Sequence, residues 1–287
     1  MSGVTTPPGL DVRIAQKRYP AAGGADGATV IENLAFALPP RQFCCIVGPS
    51  GCGKTTLLNI LAGLDHDASA EVRLSDGSRP EAVPIGYMFQ TPRLLPWRTV
   101  RDNVRLVLDP QAAASGRAEQ LLREMELGDS LDAFPNRLSG GMQRRVALAR
   151  AFAIEPRLLL LDEPFVSLDQ PVANRLRGML LELWQRRPTT VLFVTHDLRE
   201  AIHLADRILF LSKSPSRVIL DVAVDLPRPR DFEDAASEAF RQDLLTRHRA
   251  LLQGYAGAGG AAAAAAAAAE AGRGPGFDEP GMARLAC

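Results

Sequence analysis

Lysine is nearly absent from this chain. Lys17, Lys54 and Lys213 are its three lysines, so almost all of the 33 basic side chains are arginine. Basic and acidic residues, 33 of each, balance to a formal charge of +0. With neither a polybasic tail nor surplus cations, nucleic acid is not an expected partner. Long hydrophobic runs are missing too. None approaches the roughly 20 residues that cross a bilayer, so a membrane role would run through a partner. The first residues, MSGVTTPPGL, have neither a basic n-region nor an apolar h-region, and no secretory signal peptide is expected. Cysteine is sparse. Cys44, Cys45, Cys52 and Cys287 form no CxxC pair, so reduced core thiols in a cytosolic protein are expected.

What is present is a succession of short apolar runs: Phe43–Val47, Ile85–Phe89, Leu158–Leu161, Val191–Val194 and Ile208–Leu211. Each is bounded by turn or polar residues and shows little polar alternation, the pattern of strands covered on both faces. Helical segments lie between them, which predicts an α/β protein with a parallel sheet. A helix over 55–62 is expected to end at Gly63, and another from about Gly141 to end at Pro156. Residues 92–150 contain helical patterns without a clear strand and read as a helical insertion between two halves of the sheet. The length allows one large or two modest domains. Residues 1–10 read as a loose leader. From Gly254 onward the chain is low-complexity, with alanine at every position of 261–269. Polyalanine favours a helix but has little surface to bury, so a mobile tail or solitary helix is expected.

The most specific signal is GPSGCGKTT, Gly48–Thr56. It follows the apolar Phe43–Val47 run and precedes Leu57, Leu58, Ile60 and Leu61. Strand, glycine loop and helix are the context in which G-x-x-x-x-G-K-[ST] means a phosphate-binding loop. Gly48, Gly51 and Gly53 let the backbone curl close to phosphates. The loop through Pro49, Ser50 and Cys52 then offers its amides as an anion nest at a helix N-terminus. Lys54 supplies a point charge for the β- and γ-phosphates, Thr55 a hydroxyl for Mg²⁺, and Thr56 continues the site into the helix. The implied ligand is ATP or another nucleoside triphosphate, with Mg²⁺. Cys52 lies near that helix N-terminus, which lowers thiol pKa values, so a reactive thiol protected by ATP is expected.

Two further motifs extend the site. LSGGMQ, Leu138–Gln143, opens a helix that Ser139 can cap, and Gly140 and Gly141 permit close approach to an anion. LLLLDE, Leu158–Glu163, sets two carboxylates at the C-terminal end of a buried strand, where ligands bind in open α/β sheets. Asp162 suits Mg²⁺, and Glu163 suits a base poised on water.

The combination and order of GPSGCGKT, Gln90, LSGGMQ, LLLLDEP, SLD and His196 closely resembles the ATP-binding cassette ATPases, over roughly residues 10–230. The resemblance implies a P-loop NTPase core (10–91 and 157–230) with a mostly parallel sheet and an antiparallel β subdomain. It also implies an inserted helical subdomain (92–156) and a C-terminal helical extension (231–253), with 254–287 as a disordered tail. Tyr19 resembles the aromatic that stacks on adenine; a packed surface tyrosine is the other reading. Gln90 matches the loop that senses Mg²⁺ and the attacking water. Ser139, Gly140, Gly141 and Gln143 would meet the γ-phosphate held by a second copy of the chain. Ser167, Leu168 and Asp169 match the D-loop, and His196 the switch histidine. His66, His203 and His248 match nothing. The implied unit is a two-fold dimer that encloses ATP and hydrolyses it.

Among such ATPases, DNA-repair types carry a long coiled coil between these motifs, and translation types carry two cassettes; neither feature is present here. FQ…LLPW.TV..NV across 89–104, DEPFVSLD, and LPRPRD at Leu226–Asp231 resemble importers of nitrate, aliphatic sulfonates and taurine. That implies transmembrane permease subunits, a solute-binding protein acting indirectly, and a peripheral position on the cytoplasmic face of a bacterial inner membrane. Trp97 either joins a groove that receives a permease helix or packs within the helical region. Asp65–Pro84 lacks the family's glycine pattern and reads as a degraded hairpin, with its strand pairing in doubt.

Overall fold

The computed structural model describes residues 7–20, 27–187 and 189–255. The expectations for residues 1–6, for the alanine-rich 256–287 and for Cys287 lie outside the described residues.

In chain order the strands are β1 (Leu10–Tyr19), β2 (Ala28–Leu38), β3 (Phe43–Val47), β4 (Ala68–Leu74), β5 (Ile85–Met88), β6 (Leu158–Asp162), β7 (Thr190–Thr195), β8 (Arg207–Leu211) and β9 (Val218–Ala223). The helices are α1 (Lys54–Leu61), α2 (Val100–Arg105), α3 (Pro110–Ala114), α4 (Arg117–Glu124), α5 (Gly140–Ala153), α6 (Gln170–Arg186), α7 (Leu198–Leu204) and α8 (Ala235–Arg247).

The main sheet has the order β5-β6-β7-β3-β8-β9. Its first five strands are parallel, and β9 closes the edge antiparallel to β8. The apolar runs build it because side chains alternate across a strand. Phe43, Cys45, Leu159, Leu161, Val191, Phe193, Ile208 and Phe210 enter one core, shared with residues of α4 to α7. Cys44, Ile46, Leu158, Leu160, Leu192, Val194, Leu209 and Leu211 enter a second, shared with α1 and the small sheet. Both faces being covered, the strands carry no polar alternation. Phe193 is fully buried between Phe43 and Phe165, and its truncation to alanine costs about 3–5 kcal/mol.

The small sheet is antiparallel, in the order β2-β1-β4. Here one expectation is corrected. β4 pairs with β1 from Leu10 opposite Leu74 to Lys17 opposite Ala68, so the Asp65–Pro84 stretch does form its strand. A ladder is made by the main chain and needs no glycine within it; Val72 and Leu74 packed on the core set the register. Gly77, at φ 81°, supplies the left-handed turn residue that follows.

Helices α2 to α5 fall between β5 and β6. Thr99 caps α2 by accepting the Asp102 amide, and Asp109 caps α3 by accepting that of Ala112. Helix α5 returns to the sheet so closely that a Cβ on Gly86 would lie 2.5 Å from the Ala151 carbonyl oxygen. Helix α1 closes through Ala62, with Gly63 next at φ 65°.

Candidate nucleotide site

Three strand ends bring the site together. The parallel register sets Val47 beside Thr195 and Val194 beside Asp162. The loops that follow β3, β6 and β7 therefore leave the sheet side by side at its C-terminal edge, where ligands bind in such folds.

After β3 the chain turns through Gly48–Gly53 into α1. Gly53 has φ 104°, and a Cβ there would lie 2.7 Å from Val30 Cγ1, so only glycine fits. Lys54 is 6% exposed. Its ammonium donates to the carbonyls of Gly48 (2.9 Å) and Pro49 (3.1 Å) and lies 3.5 Å from Glu163 Oε1. A buried cation needs such partners. Ser50, Gly51 and Thr55 are exposed, and Thr56 is half-buried.

After β6 the backbone bends sharply. Glu163 adopts φ 43°, a left-handed conformation that costs a non-glycine residue about 1–3 kcal/mol. The bend turns its carboxylate between two groups, Lys54 on one side and His196 Nδ1 at 3.1 Å on the other. Its amide donates to the Val194 carbonyl (3.0 Å), which fixes the bend against β7. Asp162 is buried and accepts the Thr55 hydroxyl at 2.9 Å. Burial pushes its carboxyl above the ordinary range, against the pull of the Thr55 hydrogen bond.

Beside the first turn of α1, Tyr19 is 40% exposed. Its hydroxyl reaches Thr56 Oγ1 and Asp65 Oδ2, each at 3.3 Å. Lys17, 2% exposed, donates to Asp65 Oδ1 at 2.6 Å and sits 4.7 Å from the centre of the Tyr19 ring. Burial raises Asp65, but hydrogen bonds from Lys17, the Asp67 amide and Tyr19 together hold it below its usual value. Tyr19 is thus held over the start of α1 with ring surface still open.

Ser139 caps α5 by accepting the Met142 amide at 3.3 Å, and its neighbour Gly140 is exposed. Gly141 is buried against α6, where a Cβ would lie 2.6 Å from Val172 Cγ1. Gln143 donates to the Pro135 carbonyl (3.0 Å), within the approach to the helix. Asp169 precedes α6 with its side chain exposed and making no cap hydrogen bond. Gln90 is exposed just beyond β5.

The expectation for Cys52 is corrected. The thiol is 1% exposed, and burial raises its pKa despite the nearby Lys54 charge. Desolvation of a thiolate outweighs the helix terminus. Sequence reasoning also missed Arg144. It is 8% exposed and donates to the carbonyls of Gln90 (3.0 Å), Pro164 (2.6 Å) and Val166 (2.7 Å), tying α5 to the loops on both sides of the site. The signal for it was an arginine among the apolar positions of α5.

The family model described as "ABC transporter" matches residues 31–166. The aliphatic sulfonates import ATP-binding protein SsuB 2 of Burkholderia cenocepacia is 43% identical over 241 residues, 83% of this chain and 87% of that protein. The aliphatic sulfonates import ATP-binding protein SsuB of Bacillus subtilis is 37% identical over 242 residues, 83% of this chain and 93% of that one. Among solved structures, the dimeric ATP-binding cassette MJ0796 in a post-hydrolysis state bound to ADP and Pi superposes with a TM-score of 0.65. It is 29% identical and matches 76% of this chain and 100% of that one. Fold, motif geometry and relatives converge: the chain belongs to the ABC transporter family, as an ATP-binding subunit.

Proposed function

We propose that this chain is the ATP-hydrolysing subunit of a membrane importer for aliphatic sulfonates, working as a pair of identical copies beneath transmembrane permease subunits. The observation that carries this reading is the Glu163 carboxylate held between Lys54 and His196, next to the Thr55–Asp162 pair. Lys54 provides positive charge where the β- and γ-phosphates lie. Glu163 accepts a proton from the attacking water, and His196 holds both Glu163 and the γ-phosphate.

Thr55, Asp162 and Gln90 are the residues that would hold Mg²⁺. Their oxygens suit a hard cation that takes one or two carboxylates besides phosphate and water. Among the described residues no group of three or more His, Cys, Asp or Glu could hold a metal by itself. When bound, Mg²⁺ neutralises charge on the transferring phosphoryl group.

Ser139, Gly140, Gly141, Gln143 and Asp169 belong to the site of the opposing copy. ATP charge bridges the two copies, and hydrolysis removes the bridge. Among the described residues no helix is long and apolar enough to cross a membrane. In this reading the permease subunits form the pore and this chain docks on their cytoplasmic face. The import names of the relatives support this over a soluble mechanochemical ATPase. A strain lacking its own sulfonate ATP-binding subunit tests the reading. Expression of this chain with its cognate permease and binding protein should restore growth on an alkanesulfonate as sole sulfur source, and Glu163→Gln should not. Restoration on taurine alone as the sulfur source would reassign the substrate; none at all, with ATPase intact, would remove the transport role.

A further inference from the structure

Beneath the exposed His196 ring runs a buried polar chain that the reaction above leaves unused. Thr195, the last residue of β7, is 2% exposed. Its hydroxyl donates to Glu200 Oε2 at 2.5 Å and accepts the Asp197 amide at 3.0 Å. One hydroxyl therefore closes the turn that carries His196. Glu200, on α7, uses its other oxygen to accept from Arg177 Nε at 2.9 Å, and the same oxygen is ion-paired with Nη2 at 2.9 Å. The two side chains are each 6% exposed. Arg177, on α6, donates onward to Asn174 Oδ1 at 2.7 Å, and its guanidinium lies 4.6 Å from the centre of the Phe232 ring.

A buried ion pair contributes little stability over apolar residues of the same volume, because desolvation offsets the attraction. What this pair does have is directionality. The Glu200 carboxylate can only accept, so the Thr195 hydroxyl must donate to it and present a lone pair to the Asp197 amide. Arg177 then ties that arrangement to α6, the helix that starts next to Asp169. The far end of α7 is held as well. Arg230 donates to the carbonyls of Ile202 (2.6 Å) and Ala205 (2.5 Å), and Arg228 to that of Leu204. LPRPRD is thus a clamp on the helix that follows the switch turn.

We infer that Thr195 and Glu200 are positioning residues for His196, and that Arg177 couples them to the helix beginning at Asp169, so that the switch turn and that helix keep one fixed relation. This rests on His196 acting at the γ-phosphate. Neither residue touches the reacting atoms; both act through the histidine.

The test is steady-state ATPase of the full chain, with binding of a fluorescent ATP analogue and thermal unfolding measured on the same samples. Thr195→Val should lower kcat about 10-fold, within the span seen for residues that act through a network, while KM and analogue affinity stay within about twofold. Thr195→Ser should restore kcat. Glu200→Gln, which still accepts from Thr195 but no longer pairs its charge with Arg177, should fall between and serves if Thr195→Val does not fold. Thr195→Val added to His196→Ala should cost nothing further, because residues acting through one another are not additive. Wild-type kcat in folded Thr195→Val and Glu200→Gln, or full additivity with His196→Ala, overturns the inference alone. Wild-type turnover in His196→Ala overturns the reading of the histidine and the inference with it.

Discussion

The hydroxyl of Thr55 donates to Asp162 Oδ2 at 2.9 Å, joining residues 107 positions apart. The phosphate loop and the acidic end of β6 are thereby one structure rather than two motifs. Asp162→Asn keeps the shape but loses the charge for a hard cation. It should cost about 10–100-fold in Mg²⁺-supported turnover, the usual worth of a carboxylate at or next to a metal. An Mg²⁺ titration of ATPase rate measures this, and an unchanged titration curve counts against Asp162 as a metal residue.

Glu163 spends backbone strain to face Lys54 and His196. Glu163→Gln preserves volume and removes the proposed base. Hydrolysis should fall about 10²–10⁴-fold while ATP binding and ATP-dependent dimerisation persist. Phosphate release with size-exclusion chromatography in ATP reads both, and near-normal turnover would take Glu163 out of the role.

Trp97 is 69% exposed, and Leu106, Val107 and Phe134 are also exposed in the helical region. Of the two readings open from sequence, packing within that region is not what the structure has. An exposed tryptophan suits a partner surface. Trp97→Ala should leave the ATPase of the isolated chain unchanged and reduce solute uptake by the reconstituted importer. Normal coupled uptake would argue against a docking role.

The Cys52 thiol is buried and its pKa raised, so it should react slowly with a maleimide in the folded protein at pH 8, with or without MgATP. Urea should release it. Peptide mapping of labelled protein checks this, because Cys44 and Cys45 are buried as well. Rapid labelling of Cys52 in the native state would contradict the burial seen here.

His203 packs on Phe232, with its Nδ1 lacking a partner among the described residues. Burial, reinforced by Arg177 and Arg230, lowers its pKa from 6.5 to about 4. The unfolded chain therefore binds a proton at higher pH than the folded one. Its stabilising contribution is complete above pH 6.5 and is lost as pH falls toward about 4. His203→Gln should flatten the decline of melting temperature across that window relative to the parent. An identical pH slope in both proteins would exclude His203 as a source.

Much of this protein is written locally. The five apolar runs became five strands because period and residue type act over a few neighbours, and GPSGCGKTT needed only its flanking strand and helix to specify a phosphate loop. Local signals could not say what the fold buries, because burial sums contributions from elements far apart in the chain. Cys52 stands at a helix N-terminus that favours a thiolate, yet tertiary packing withdraws it from water and reverses the effect. Asp65–Pro84 lacks the expected glycines, but the edge of β1 supplied its ladder. Only folding encloses Arg144, Arg177 and Glu200, setting Arg144 on the loop carbonyls around the site and Arg177 against Glu200. Residue chemistry and spacing determined the ligand, and the resemblance of the motifs pointed to the family; the three-dimensional packing decided which charges are buried and how they are paired.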